Sequence, residues 1–134
     1  MKKLNPRSLQ KLQFIEGDAS ELNLGMSEVN IEKLKTCSVI FHAAACVRFD
    51  DALKNAILLN TRGTREICEL ASKIPRLKAL VHVSTAYVQP KNTFVQEKLY
   101  PMDCDWRTYI KFAETYSMEM LNWLTLKYYF LVAC

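Results

Sequence analysis

The stretch ALVHVSTAY (79–87) ends an apolar run in two hydroxyls, Ser84 and Thr85, with Tyr87 close behind. Hydroxyls that emerge from a buried strand into a crevice can hydrogen-bond a carbonyl and stabilise charge that develops on it. A second apolar run, SVIFH (38–42), ends in Ala43, Ala44 and Ala45 and then Cys46. Side chains that small leave the backbone open to a flat or bulky ligand. The third candidate is Asn60, in the gap of the apolar stripe of a long helical pattern, with Gly63 one turn later. A buried amide without partners costs about 1 to 3 kcal/mol, and a glycine inside a helix costs about 1 kcal/mol relative to alanine. Two unfavourable choices so close together point to Asn60 holding a buried polar network and Gly63 admitting a close neighbour. Each feature also has a plainer reading. The alanines could serve tight helix–strand packing, Ser84 and Thr85 a strand-end turn, and Asn60 a bond to a local carbonyl. Two neighbouring strand ends opening on one pocket favour a site.

Several elements must position these residues. LQFIEG (12–17) predicts a short strand ending at a glycine, and SEVNIEKLKT (27–36) a helix with Ser27 as N-cap. SVIFHA (38–43) predicts a buried strand. Residues 50–73 predict a long helix capped by Asp50 or Asp51 and closed by Pro75. Residues 77–84 predict another buried strand, and 106–124 a last helix. Strands alternating with helices indicate an α/β fold with a parallel sheet. Apolar runs without alternation fit strands covered on both faces. Ligands of an open parallel sheet bind beyond the carboxyl ends of its strands, which is where the alanines and the hydroxyls fall.

Composition narrows the function classes. The 134 residues suit a single domain over 1–134, or part of one. Half are hydrophobic and 24% are charged, so a core is affordable and low-complexity disorder is excluded. The net charge of +4 is scattered, which leaves no nucleic-acid footprint. Five cysteines occur without a CxxC. That argues against a disulfide framework and a zinc site, and for a reducing compartment inside the cell. His42 and His82 are the only histidines, and each reads as a core or cleft histidine with no metal ligated. No apolar run reaches the roughly 18 residues that span a bilayer. MKKLNPRSLQKLQF at the start is polar where a signal peptide would be apolar. With glycine only at 17, 25 and 63, the chain has no glycine-rich phosphate loop.

Four blocks together resemble the fatty acyl-CoA reductases, which belong to the extended short-chain dehydrogenase/reductases. They are GDAS (17–20), VIFHAAACVRFDD (39–51), LLNTRGTREICELA (58–71) and ALVHVSTAYV (79–88). They cover residues 13 to about 100, in order, and FHAAA, VRFDD and HVSTAY in succession are specific to the family. The resemblance implies a partial doubly wound, Rossmann-like sheet. It implies that Asp18 approaches the cofactor adenine and that Ala43, Ala44 and Ala45 line the cofactor. It assigns Asn60 to supporting a proton-relay water and the catalytic lysine. Thr85, or its neighbour Ser84, would orient the substrate carbonyl. The implied reaction is reduction of a long-chain acyl-CoA to a fatty alcohol with NADPH as cofactor. Membrane association at the endoplasmic reticulum or peroxisome is expected of full-length family members, and the chain shows no anchor.

The same resemblance identifies missing parts. The family's first two strands and its glycine-rich turn are expected before residue 1, and its Tyr-x-x-x-Lys after about residue 120. Tyr87 and Lys91 have that spacing, but Pro90 between them makes a helical turn there improbable. The tail 122–134 departs from the family, so a truncated gene product is expected, inactive on its own. In a 3-2-1-4-5 strand order, residues 13–17 as strand three would be stranded or forced into a non-family pairing, and the isolated chain would be marginal or unfolded. Two alternatives stay open: another extended reductase acting on a sugar nucleotide or sterol, and a non-catalytic module that pairs through an exposed strand edge.

Overall fold

In the computed structural model, residues 9–48, 50–85, 92, 94–101 and 105–125 are described. Tyr87, Pro90 and Lys91 lie outside these residues, as does the tail from 126 onward.

A left-handed turn at Leu22–Gly25 precedes α1 (Glu28–Leu34). Asn23, Leu24 and Gly25 all have positive φ, at 51°, 59° and 59°. That conformation is strained for Leu24, which is nevertheless buried. Ser27 caps α1, its side chain accepting from the Asn30 N–H, as its type and position predict. β1 (Val39–His42) and β2 (Ala79–His82) pair in parallel, Val39 opposite Ala79 and His42 opposite His82. Between them runs a helical stretch in three parts: α2 (Leu53–Ala56), a π-helical turn (Ile57–Arg62) and α3 (Gly63–Ser72). α4 (Trp106–Thr115) and α5 (Met118–Thr125) follow β2.

The expected α/β architecture is therefore present as a small open parallel sheet with helices, and several local expectations need correction. Residues 12–17 form no strand; Phe14 is 94% exposed, and backbone pairing needs a neighbour that these residues do not find. Neither Asp50 nor Asp51 is the helix cap. Ala52 takes that place, while Asp51 Oδ1 accepts from the Ala52 N–H at 2.7 Å and from Asn55 Nδ2 at 3.2 Å. The last helix is two. Tyr116 is extended, and Lys54 Nζ donates to its carbonyl at 2.9 Å. Ser117 Oγ then accepts from the Met120 N–H at 3.3 Å, the mark of a new helix start. The strands are not covered on both faces. Val39, Phe41, Val81 and Val83 lie exposed.

The core is thin. Ile57, Ile110 and Ala113 form its centre, with Leu53, Leu58 and Tyr109 packed against them, so the π turn and α4 bury one another.

Candidate active site

Because β1 and β2 run parallel and in register, Ala43, Ala44, Ala45 and Val83, Ser84, Thr85 leave the sheet from the same edge. All six are exposed. Asn60 projects from the π turn and closes a two-pronged clamp on the loop after β1. Its Oδ1 accepts from the Cys46 N–H at 2.8 Å, and its Nδ2 donates to the Cys46 carbonyl at 3.1 Å. The amide thus takes both backbone groups of a loop residue that has no strand partner. It bonds no carbonyl of its own turn, so the plainer reading fails and the polar-network reading holds. π turns of this kind recur at functional sites.

Cys46 is held further by its side chain, which donates to Asp51 Oδ2 at 3.1 Å. That bond to a carboxylate raises the Cys46 thiol above its ordinary value. It also lowers Asp51, together with the bonds from Asn55 and Ala52.

A cleft of about 870 Å³ opens between the 60–72 helical face, the end of β2, residues 98–100 and Trp106. Its walls include Asn60, Thr64, His82, Ser84, Tyr100 and Trp106. Asn60 and Ser84 therefore share one hollow. Ala43, Ala44, Ala45, Thr85 and Asp18 are not on its walls. The alanines immediately precede Cys46, the residue that Asn60 clamps.

Asp18 belongs to a second assembly. Its Oδ1 accepts from the Ser20 N–H at 2.8 Å and from Ser20 Oγ at 2.6 Å, bonds that lower its pKa. The turn carrying it docks on the 62–66 stretch. Arg62 donates to the Ser20 carbonyl and to Glu114 Oε1, the latter at 3.2 Å. Glu66 Oε2 accepts from the Asn23 N–H at 2.8 Å. Burial pushes the Glu66 carboxyl up, but the Arg65 guanidinium and the Asn23 amide outweigh it and the net shift is downward. Gly63 does admit a close neighbour: a Cβ there would lie 2.4 Å from the Ala19 carbonyl oxygen. Arg62 and Glu66 are buried charges that reading apolar periodicity overlooks. Their opposite signs at i and i+4, flanking a glycine, were the available signal.

Among the described residues, no group of three His, Cys, Asp or Glu could hold a metal ion. No helix among them is long and apolar enough to cross a membrane.

Comparison with known proteins places the chain. The NAD-binding family described as male sterility protein matches residues 1–129, beyond the 13–100 blocks at both ends. The fruit-fly (Drosophila melanogaster) fatty acyl-CoA reductase wat is 40% identical over 126 residues, 93% of this chain and 24% of the relative. Human (Homo sapiens) fatty acyl-CoA reductase 2 is 32% identical over 128 residues, 95% of this chain and 25% of the relative. The putative fly reductase CG8306 is 42% identical over 115 residues, 85% of this chain and 22% of the relative. The chain spans about a quarter of the length of these curated relatives.

Proposed function

Since the chain belongs to the fatty acyl-CoA reductase family, with its nucleotide-cofactor-binding domain, we propose that it carries the carbonyl-facing wall of an enzyme that reduces long-chain acyl-CoA to fatty alcohol with NADPH. The observation that carries this reading is the shared edge. Three exposed alanines leave β1 beside the two hydroxyls that leave β2, and Asn60 pins the first loop in place.

The residues fit the dinucleotide in part. Ala43, Ala44 and Ala45 offer a surface free of large side chains, against which a flat ring can lie. The pyrophosphate finds no cradle among the glycines. A Cβ on Gly17 would meet the Leu24 carbonyl at 2.8 Å, one on Gly25 the Asp18 amide at 3.0 Å, and one on Gly63 the Ala19 carbonyl, so all three already serve internal contacts. The chain alone is therefore expected to be inactive. Each reduced dinucleotide bound there would supply one hydride, so two are consumed per alcohol: one for the thioester carbonyl, with departure of CoA, and a second, after exchange of the spent cofactor, for the aldehyde.

This chain's residues orient the reactants. Ser84, on the cleft wall, or Thr85 beside it donates a hydrogen bond to the carbonyl oxygen and stabilises its growing negative charge. Asn60 holds the alanine loop through both backbone groups of Cys46. Asp18 faces the adenine end, its carboxylate kept ionised by Ser20. The longer protein works at the endoplasmic reticulum or peroxisomal membrane, where its lipid substrate resides.

The test is a chimera in which residues 9–125 replace the aligned segment of the fly reductase wat. The expected result is NADPH-dependent fatty alcohol from a long-chain acyl-CoA, abolished by the double change Ser84→Ala, Thr85→Val. A folded chimera that makes no alcohol, or one indifferent to the double change, overturns the proposal.

A further inference from the structure

One hydroxyl, that of Thr64, lies between the sheet and the Asn60 clamp. Thr64 Oγ1 is 2.6 Å from the Asn60 carbonyl oxygen and 3.1 Å from His42 Nε2. A carbonyl oxygen cannot donate, so the Thr64 hydroxyl gives its single proton to Asn60. The His42 ring nitrogen must then be the donor to Thr64, which fixes the tautomer with the proton on Nε2. His42 is itself immobilised: it is 4% exposed and stacks on His82 with ring centroids 5.0 Å apart. The hydrogen-bonded chain runs His42 to Thr64 to Asn60 to Cys46, from the last residue of β1 to the loop four residues later.

We infer that Thr64 and His42 are positioning residues, which fix the π turn so that the Asn60 side chain grips Cys46 and sets the height of the Ala43–Ala45 loop. The geometry explains why the loop needs an outside anchor. Cys46 follows the end of β1, so its N–H and carbonyl receive no strand partner. Asn60 supplies both, but it sits in a turn whose own backbone must be held at one rotation. The Thr64 hydroxyl takes the Asn60 carbonyl, and the His42 ring keeps that hydroxyl from rotating away. A residue of β1 thereby sets the helix that in turn sets the loop leaving β1. The role assigned to the loop rests on the proposed function; the coupling itself does not.

Amide hydrogen exchange on the 134-residue chain, read residue by residue by NMR, tests the coupling without cofactor. The Ala113 amide in α4 serves as an internal reference for global opening. In the parent chain the Cys46 amide is expected to be protected. Thr64→Val should speed Cys46 exchange about fivefold relative to Ala113, the factor that one neutral hydrogen bond supplies. Thr64→Ser keeps the hydroxyl and should restore the parent ratio. Asn60→Ala should speed exchange at least as much as Thr64→Val, and adding Thr64→Val to it should change nothing further. An unprotected Cys46 in the parent, an unchanged ratio in Thr64→Val, or Thr64→Ser behaving as the valine variant overturns the inference. Where Thr64→Val does not fold, the parent chain decides. Asn60 Nδ2 protons that are separate and slow to exchange support it, and protons averaged to the solvent-exposed value overturn it. Loss of dinucleotide binding with this exchange pattern intact would instead count against the proposed function.

Discussion

Gly63→Ala puts two physical arguments in direct opposition. Helix propensity alone favours alanine at an interior helical position by about 1 kcal/mol. The structure predicts the reverse. The new Cβ would lie 2.4 Å from the Ala19 carbonyl oxygen, a backbone atom that no side-chain rotation can move aside. Ala19 sits in the turn tied down by the Arg62–Ser20 and Glu66–Asn23 bonds. Relief therefore means lifting that turn and stretching two charge-assisted bonds worth about 1.5 to 3 kcal/mol each. Overpacking of this kind costs about 1 to 3 kcal/mol even where neighbours can adjust. Loss of both bonds, less the propensity gain, gives an expected cost of about 2 kcal/mol or more. Urea titration followed by Trp106 and Trp123 fluorescence measures it, with an excluded osmolyte added equally to parent and variant to extend the folded baseline. With a slope of about 1 to 2 kcal/mol per molar, the midpoint should fall by about 1 M or more. A midpoint equal to or above the parent's would refute the close approach.

Other outcomes follow from the same contacts. Asn60→Ala should destabilise the chain by about 1 to 3 kcal/mol through loss of both Cys46 bonds. Asn60→Asp should do no better, because a carboxylate can accept from the Cys46 N–H but faces the Cys46 carbonyl without a donor; urea titration compares the two. Burial, and then the neighbouring His82, hold His42 below its usual value near 6.5. The unfolded chain therefore takes up that proton first as the pH falls, so this contribution is absent well above pH 6.5 and destabilises below it. Stability measured from pH 8 to 5 should decline through that window, and His42→Gln should flatten the decline. Alkylation by iodoacetamide at pH 8 should be several-fold slower at Cys46 than at the exposed Cys68. Asp51→Asn should quicken it, since the carboxylate bond is the leading cause of the raised thiol pKa; mass-spectrometric peptide mapping reads both rates.

What the sequence disclosed follows from which forces are local. SVIFH and ALVHV are continuous apolar runs of strand length, and both became strands because each finds the other as a parallel partner, although little of either is buried. Ser27 announced α1 because capping is a matter of three neighbouring residues. LQFIEG misled because a strand's partner is not written in the strand; its composition is right, but nothing pairs with it. The break at Tyr116–Ser117 carries no proline or glycine, and only the Ser117 hydroxyl betrays it. Asn60 stood out as an amide interrupting an apolar stripe, and its partner Cys46 became visible only in three dimensions. Arg62 and Glu66 passed unnoticed because charges on a helix normally face water, and what buries these two is a turn some forty residues earlier.

The proposed function rests on the ends of β1 and β2, the first pinned by Asn60, presenting one wall to a nicotinamide dinucleotide. NMR titration of the 134-residue chain with NADPH into the millimolar range tests it most directly, since even weak contact moves amide signals. Shifts gathered at Ala43, Ala44, Ala45, Asn60, Ser84 and Thr85, with α5 unmoved, are what the geometry predicts. Signals at those six residues that stay still at the highest concentration, or that move no more than those of α5, would contradict it.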